Sequence, residues 1–230
     1  MRFYLANVAT RSKGSLRRGK GESEFVWRTS RHGARGACDV GKAKYMEKIG
    51  HITTYTGDHF YPTAPNKENI HVEDIAHALS YICRGNGHVK NFFSVGQHCI
   101  NCALEAMVRG YSRRVCLACL LHDAGEAYMS DVPRPIKVGM PQYKEWEDAI
   151  IRMVYEKYLG SDLTEEEERL VKQVDDDMLY FDMKVLLGEK MDREEPEMTS
   201  IFSQEYVPFI EVEEQYLEMF RKLNGDICEK

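Results

Sequence analysis

Ser112-Arg113-Arg114-Val115-Cys116-Leu117-Ala118-Cys119-Leu120-Leu121-His122-Asp123-Ala124-Gly125-Glu126 is the stretch that decides the fold. From Val115 to Leu121 it is apolar on every side, so a helix here belongs inside a bundle and not on its surface. Ser112 can cap it, and the predicted helix runs from Arg113 to about Met129. Its far end carries two adjacent metal-capable side chains, His122 and Asp123. Glu126 follows four residues after His122, one turn along the same face of a continuous helix.

The flanking segments supply helices to surround it. Ile70, Ile75, Ala78, Leu79 and Ile82 make one helical face, with Glu73 and Asp74 near its positive N-terminal end. Ser94-Val95-Gly96-Gln97 has the form of a capping box and opens a second helix through Cys99, Cys102, Ala103, Ala106 and Met107, which Gly110 ends. After the central helix, Pro133 and Pro135 predict an extended loop. Pro141 suits the first turn of a fourth helix with Trp146, Ile150, Met153 and Val154 inward. Thr164-Glu165-Glu166-Glu167 is a second capping box and opens a long fifth helix through Val171, Val174, Met178 and Leu186. A last helix around 207–223 closes the set. The expected fold class is therefore all-α, a bundle of about six helices.

Composition agrees with a globular chain. Of 230 residues 43% are hydrophobic and 30% charged, and no apolar run approaches the roughly 20 residues that cross a bilayer. The net charge of -6 hides a split: residues 1–45 carry 11 Lys+Arg against 3 Asp+Glu, and the remaining 185 carry 20 against 34. An acidic body repels phosphate backbones, so no nucleic-acid partner and no membrane partner is expected. Residues 1–45 are rich in Gly, Arg and Ser. A targeting presequence, a basic arm and a leader unrelated to the fold all suit that composition, although Gly14, Gly19, Gly21, Gly33 and Gly36 spoil a continuous amphipathic helix. An irregular leader is expected, with the folded domain at 46–230, opening at Met46. Seven cysteines, an odd number without a secretory pattern, fit free thiols in a cytoplasmic protein.

His98 lies on the apolar side of the second predicted helix, and Asp175 on the apolar side of the fifth, between Val171 and Leu179. A lone buried carboxylate there would be costly. Four such groups on three apolar helices (His98, His122, Asp123 and Asp175) become reasonable if they share one divalent cation. Imidazole with carboxylate suits Mn, Fe, Co, Ni or Zn, and carboxylate with water suits Mg. Asp176 and Asp177 compete with Asp175 for the last place, but the apolar-face position favours Asp175.

These residues resemble the H…HD…D signature of the HD-domain metal-dependent phosphohydrolases. The similarity is closest to the subgroup of bacterial and prophage 5'-deoxyribonucleotidases. It runs in order over about residues 52–190: Tyr55-Thr56-Gly57 with Phe60; Glu73-Asp74-Ile75-Ala76-His77-Ala78-Leu79-Ser80; Cys83-Arg84 with Gly87-His88; Phe93-Ser94-Val95 before His98; His122-Asp123-Ala124-Gly125-Glu126; Asp131-Val132-Pro133-Arg134-Pro135-Ile136-Lys137; and Val171-Lys172-Gln173-Val174-Asp175. The resemblance implies a helical bundle, one cation held by His98, His122, Asp123 and Asp175, and hydrolysis of a phosphate ester. A (deoxy)nucleoside 5'-monophosphate is the expected substrate, and a homodimer is expected on the same ground alone. Triphosphate, cyclic-nucleotide or alarmone hydrolysis, and a nucleotide-sensing module without turnover, are the rival functions.

The remaining site residues follow. Arg84 sits among glycines that let backbone approach a ligand, and the resemblance implies that it contacts the substrate phosphate; a surface arginine paired with a carboxylate is the rival. Glu126 either moves a proton at the reacting oxygens or orients a ligand. Asp131, by resemblance, binds the leaving nucleoside or positions water, unless it merely caps its loop. Lys137 attracts phosphate from the rim or is simply solvated, and His88 reaches the phosphate or caps its own turn. His77 is expected to be a satisfied core histidine. A separate possibility is a structural zinc on Cys99-x-x-Cys102 and Cys116-x-x-Cys119, tied to a nucleic-acid-binding role. Both pairs lie inside apolar helices, where small thiols pack like alanine, which argues against it.

Overall fold

The computed structural model describes residues 50–225, and the expectation of an irregular leader over 1–45 lies outside them. A two-stranded antiparallel hairpin comes first, β1 (Ile52–Thr53) and β2 (His59–Phe60), with Ile52 opposite Phe60. The sequence did not announce it. Thr56, in its turn, donates from its backbone N (2.7 Å) and its hydroxyl (3.0 Å) to the Asp74 carboxylate. This clamps the hairpin to the first turn of α1 (Val72–Tyr81).

Eight α-helices follow from there, counting α1, among the described residues. They are α2 (Val95–Val108), α3 (Arg113–Leu121), α4 (Glu126–Met129), α5 (Arg134–Lys137), α6 (Pro141–Tyr158), α7 (Glu165–Phe181) and α8 (Phe209–Asn224) with α1. Six of them, α1, α2, α3, α6, α7 and α8, build the bundle, as expected. Both capping boxes form, Ser94 with Gln97 and Thr164 with Glu167, and Ser112 accepts from Val115 N.

Two segments depart from expectation. The central helix ends at Leu121 instead of Met129. Nδ1 of His122 lies 2.8 Å from the carbonyl oxygen of Cys119, an acceptor at the end of α3. The chain continues in tight turns, Ala124 N to Leu121 O, Glu126 N to Asp123 O and Ala127 N to Ala124 O, before the single turn of α4. His122 and Glu126 therefore do not sit on one continuous helix, although both line the same cleft. The proline loop also contains a helical turn, α5, with Pro133 as its N-cap and Pro135 in its first turn, where a missing N–H is tolerated.

The centre of the bundle is the pair α2 and α3, with α1, α7 and α8 packed on α2 and α6, α7 and α8 on α3. Leu117, Ala118, Leu120 and Leu121 are fully buried, as the apolar centre of the opening stretch requires. Tyr216 of α8 is buried against them and donates to Leu120 O at 2.7 Å. Gly96 allows α1 and α8 to approach α2 closely: a Cβ there would stand 3.3 Å from the Leu79 backbone and 3.1 Å from Val212 Cγ1. No helix among the described residues is long and apolar enough to cross a membrane.

The segment between α7 and α8 carries the remaining organisation. α7 runs into one wide turn, Asp182–Leu187. Such turns are rare inside helices and frequent at functional sites. Beyond it an irregular strap crosses α2. Gln97 Nε2 donates to Glu205 O (3.0 Å) and Asn101 Nδ2 to Ser203 O (3.1 Å). The fully buried Glu105 accepts from Thr199 N (3.0 Å), Ser200 N (2.8 Å) and the Ser200 hydroxyl (2.6 Å). Gln97, Asn101 and Glu105 are four residues apart, so one polar stripe of a buried helix holds the strap.

Candidate metal centre

His98 comes from the middle of α2 and is completely buried. Its Nδ1 lies 2.8 Å from Asp182 Oδ2, while its Nε2 faces Asp175 Oδ1 at 3.3 Å and Cys102 Sγ at 3.5 Å. His122 stands beside it, ring centroids 5.3 Å apart. Its Nε2 lies 3.4 Å from Asp123 Oδ2 and 3.6 Å from Asp175 Oδ1, yet it is buried and makes no hydrogen bond. Both rings are thus anchored through Nδ1–H, one on Asp182 and one on the Cys119 carbonyl. That fixes the tautomer and leaves each Nε2 lone pair directed at the same carboxylate.

The three neighbouring aspartates differ in their partners. Asp175 faces the histidines through Oδ1 and accepts from Lys172 at Oδ2 (3.4 Å), Asp176 pairs with the same Lys172, and Asp177 accepts from Arg109 Nη2 at 3.0 Å. The apolar-face argument chose the residue that reaches the cluster. Arg84 also reaches it, with Nη1 3.5 Å from Asp123 Oδ2 and Nη2 3.3 Å from Asp182 Oδ2. It is held by a turn in which Gly85 (φ 59), Asn86 (φ 53) and Gly87 (φ 77) are all left-handed, the reason glycines flank it.

Residues here could hold a cation: His98, Cys102 and His122, and likewise Cys99, His122 and Asp123, bring one ligand atom each within 4.8 Å of one another. Donor atoms sharing one ion with bonds of about 2.1 Å stand about 3.0–3.4 Å apart, close to the 3.3, 3.4 and 3.6 Å seen between Nε2 atoms and carboxylate oxygens. The orphaned Nε2 of His122 is otherwise an unexplained loss of hydrogen bonding.

No protein-family model matches the chain. It is 41% identical to the uncharacterized protein YfdR of Escherichia coli (strain K12) over 107 residues, 46% of this chain and 57% of that protein. It is 33% identical to an uncharacterized protein of Rhodobacter capsulatus over 100 residues, 41% of this chain and 50% of that protein. The chain spans about half the length of the curated relatives it matches.

Protons compete for the same atoms. Burial and the Arg84 charge oppose protonation of His98, but Cys102, Asp175 and Asp182 outweigh them and its pKa lies well above 6.5. Burial likewise opposes protonation of His122, and Asp123, Cys99 and Asp175 raise its pKa well above 6.5. Against the effect of burial, the two imidazoles hold the Asp175 carboxyl far below its ordinary range.

An open cleft of about 190 Å³ adjoins the cluster, lined by His122, Asp123, Gly125, Glu126, Lys137, Glu147, Asp148 and Ile151. Glu126 is buried there and its Oε2 has no hydrogen-bond partner. Burial, with the charges of Asp123 and Asp131, pushes its carboxyl up to about 9. Asp131 is thus near enough to act on Glu126 electrostatically. Lys137 donates to Glu147 Oε1 at 2.6 Å and stands 3.7 Å from Glu126 Oε1, so it is an ion-paired wall of the cleft and not a solvated rim. His88 is different: it is exposed at the end of the Arg84–Gly87 turn and joins none of the contacts of the cluster among the described residues. His77 is satisfied, at 2.9 Å from Glu213 and stacked on Tyr55, but it is half-buried near the surface instead of in the core.

Asp182, Glu147 and Asp148 escaped the sequence argument. Asp182 was findable, since it lies seven residues after Asp175 and so on the same inward face of a helix. The four cysteines do not assemble into one site among the described residues. Cys116 points its thiol to Tyr111 O (3.6 Å), whereas Cys102 groups with His98 and His122, and Cys99 with His122 and Asp123.

Proposed function

We propose that this chain is a divalent-metal-dependent phosphohydrolase of the HD-domain type that cleaves a (deoxy)nucleoside 5'-monophosphate to nucleoside and orthophosphate. The observation that carries it is the pair of Nδ1-anchored imidazoles whose Nε2 atoms converge with Asp175 and Asp123 beside an open cleft. His98, His122, Asp123 and Asp175 would hold one cation, which when bound supplies an acidified water and draws charge from the phosphoryl oxygens.

The protein's own groups do the rest. Arg84 carries five N–H donors and is pre-set at the cluster by two carboxylates, so it can receive nonbridging phosphate oxygens without reorganising. Asp182 keeps His98 in one tautomer and at the same time holds Arg84, coupling ligand geometry to phosphate binding. Glu126 is buried in the cleft with an unpartnered Oε2, and burial favours its protonated form, which suits it to hand a proton to the leaving oxygen. Lys137 and Asp131 set the charge around that proton.

The test is phosphate release by the purified full chain from a panel of nucleotides, after EDTA treatment and with Mn or Co restored. Orthophosphate from 5'-monophosphates, abolished in His122→Ala, is the expected result. Pyrophosphate or tripolyphosphate from triphosphates would replace the substrate class. Full metal binding with no release from any nucleotide would refute hydrolysis.

A further inference from the structure

The donor atoms of the cluster are of two kinds. Asp175 and Asp123 retain some exposure, their side chains 21% and 20% accessible, whereas Cys102 and Cys99 are buried. Nε2 of His98 lies 3.3 Å from Asp175 and 3.5 Å from Cys102 Sγ. One ligand atom each from His98, Cys102 and His122 lies within 4.8 Å of the others, and the His122 atom has no hydrogen-bond partner although its side chain is only 9% exposed.

We propose that Cys102, His98 and His122 form a second, thiolate-side seat for a thiophilic divalent cation such as Zn or Cd, sharing both imidazoles with the carboxylate-side seat so that only one can be filled. Three arguments support it. His98 and Cys102 are four residues apart on α2 and share a face, so they form a chelating pair without backbone rearrangement. A nitrogen and a sulfur on one tetrahedral ion, at about 2.1 and 2.3 Å, stand about 3.6 Å apart, which matches the separation across this pair. Thiolate with imidazole prefers soft and borderline ions, and carboxylate with imidazole and water prefers Mn or Mg. The direction in which an ion moves within the cluster then depends on its softness. A soft ion drawn toward Cys102 leaves Asp123 and Asp175 and with them the cleft. Zinc and cadmium would act as inhibitors that bind more tightly than the working ion.

This inference needs metal binding at the cluster and not phosphate chemistry. The experiment is optical titration of the metal-free full chain with Co, together with Cd and Mn affinities from chelator competition. Wild type and Cys102→Ser, Cys102→Ala, Cys99→Ser and Asp175→Asn variants are compared, each checked for folding by circular dichroism. A near-ultraviolet thiolate-to-cobalt band is expected in wild type and Asp175→Asn, and is lost in both Cys102 variants but kept in Cys99→Ser. Cd affinity should fall about tenfold or more on losing Cys102 while Mn affinity changes less than about threefold. Co bound without the thiolate band, a band that survives loss of Cys102, or one that disappears with Cys99 instead would each overturn the seat and leave the hydrolase proposal standing. Failure of wild type to bind Co, Cd or Mn would overturn both.

Discussion

Asp182→Asn changes one atom and should disturb three partners. The native carboxylate accepts from His98 Nδ1 (2.8 Å), Arg84 Nη2 (3.3 Å) and Gln204 Nε2 (3.1 Å), and it is almost wholly buried. An asparagine keeps one acceptor oxygen and adds two donors, so one of the three donors faces another N–H unless Gln204 turns its amide to accept. An unsatisfied buried donor costs about 1–3 kcal/mol. Loss of the charge opposite Arg84 brings the total toward the about 3–5 kcal/mol typical of a broken buried ion pair. In a domain of this size that corresponds to a melting temperature lower by about 6–20 °C. The second consequence is functional: with Nδ1–H of His98 no longer anchored, Mn affinity should fall about 10–100-fold. Thermal unfolding monitored by circular dichroism and Mn affinity by competition with a chelator read the two effects separately. If both stay within twofold and 2 °C (about the size of a neutral surface change), Asp182 does not orient His98 and the ring is fixed by packing alone.

Metal affinity should climb with pH and keep climbing above pH 6.5, because His98 and His122 hold protons more tightly than free histidine and must release them to bind an ion; calorimetry in buffers of different ionisation enthalpy counts the protons. Glu126→Gln should lower kcat about 10²–10⁴-fold with metal content unchanged, and an equal loss of bound metal would make Glu126 a structural group instead. Burial opposes ionisation of Glu105, but its bonds from Ser200, Thr199 and Arg109 bring its carboxyl down to about 2. Its contribution is therefore present above pH 4.5 and fades as the pH falls toward 2, so the stability deficit of Glu105→Gln should shrink over that window in denaturant titrations.

The bundle was legible because its helices announce their own beginnings. Ser94, Ser112 and Thr164 cap as their sequence form demands, and the continuous apolar run from Val115 to Leu121 could only be central. The cluster was legible because a carboxylate at Asp175 on an apolar face needed a partner. What stayed hidden depends on side chains overriding local propensity. The His122 ring meets the Cys119 carbonyl three residues back, where α3 ends, a local side-chain contact that the apolar pattern does not record. Asp182 acts from a wide turn whose location depends on how α7 meets the strap. The strap has no periodicity of its own. Its signature lay elsewhere, in Gln97, Asn101 and Glu105 standing at four-residue intervals along an otherwise apolar helix.

That strap has a consequence for assembly. Its anchors on α2 lie 94 to 108 residues away along the chain, and Gln204 within it supplies one of the three donors that hold Asp182. A loop of that length closes only at an entropic cost that local helices do not face. A nascent chain that has just completed α7 already contains His98, His122, Asp123 and Asp175, while Gln204, which donates to the Asp182 carboxylate behind His98, is still to come. The last contacts around His98 are thus made by residues that are among the last to be synthesised.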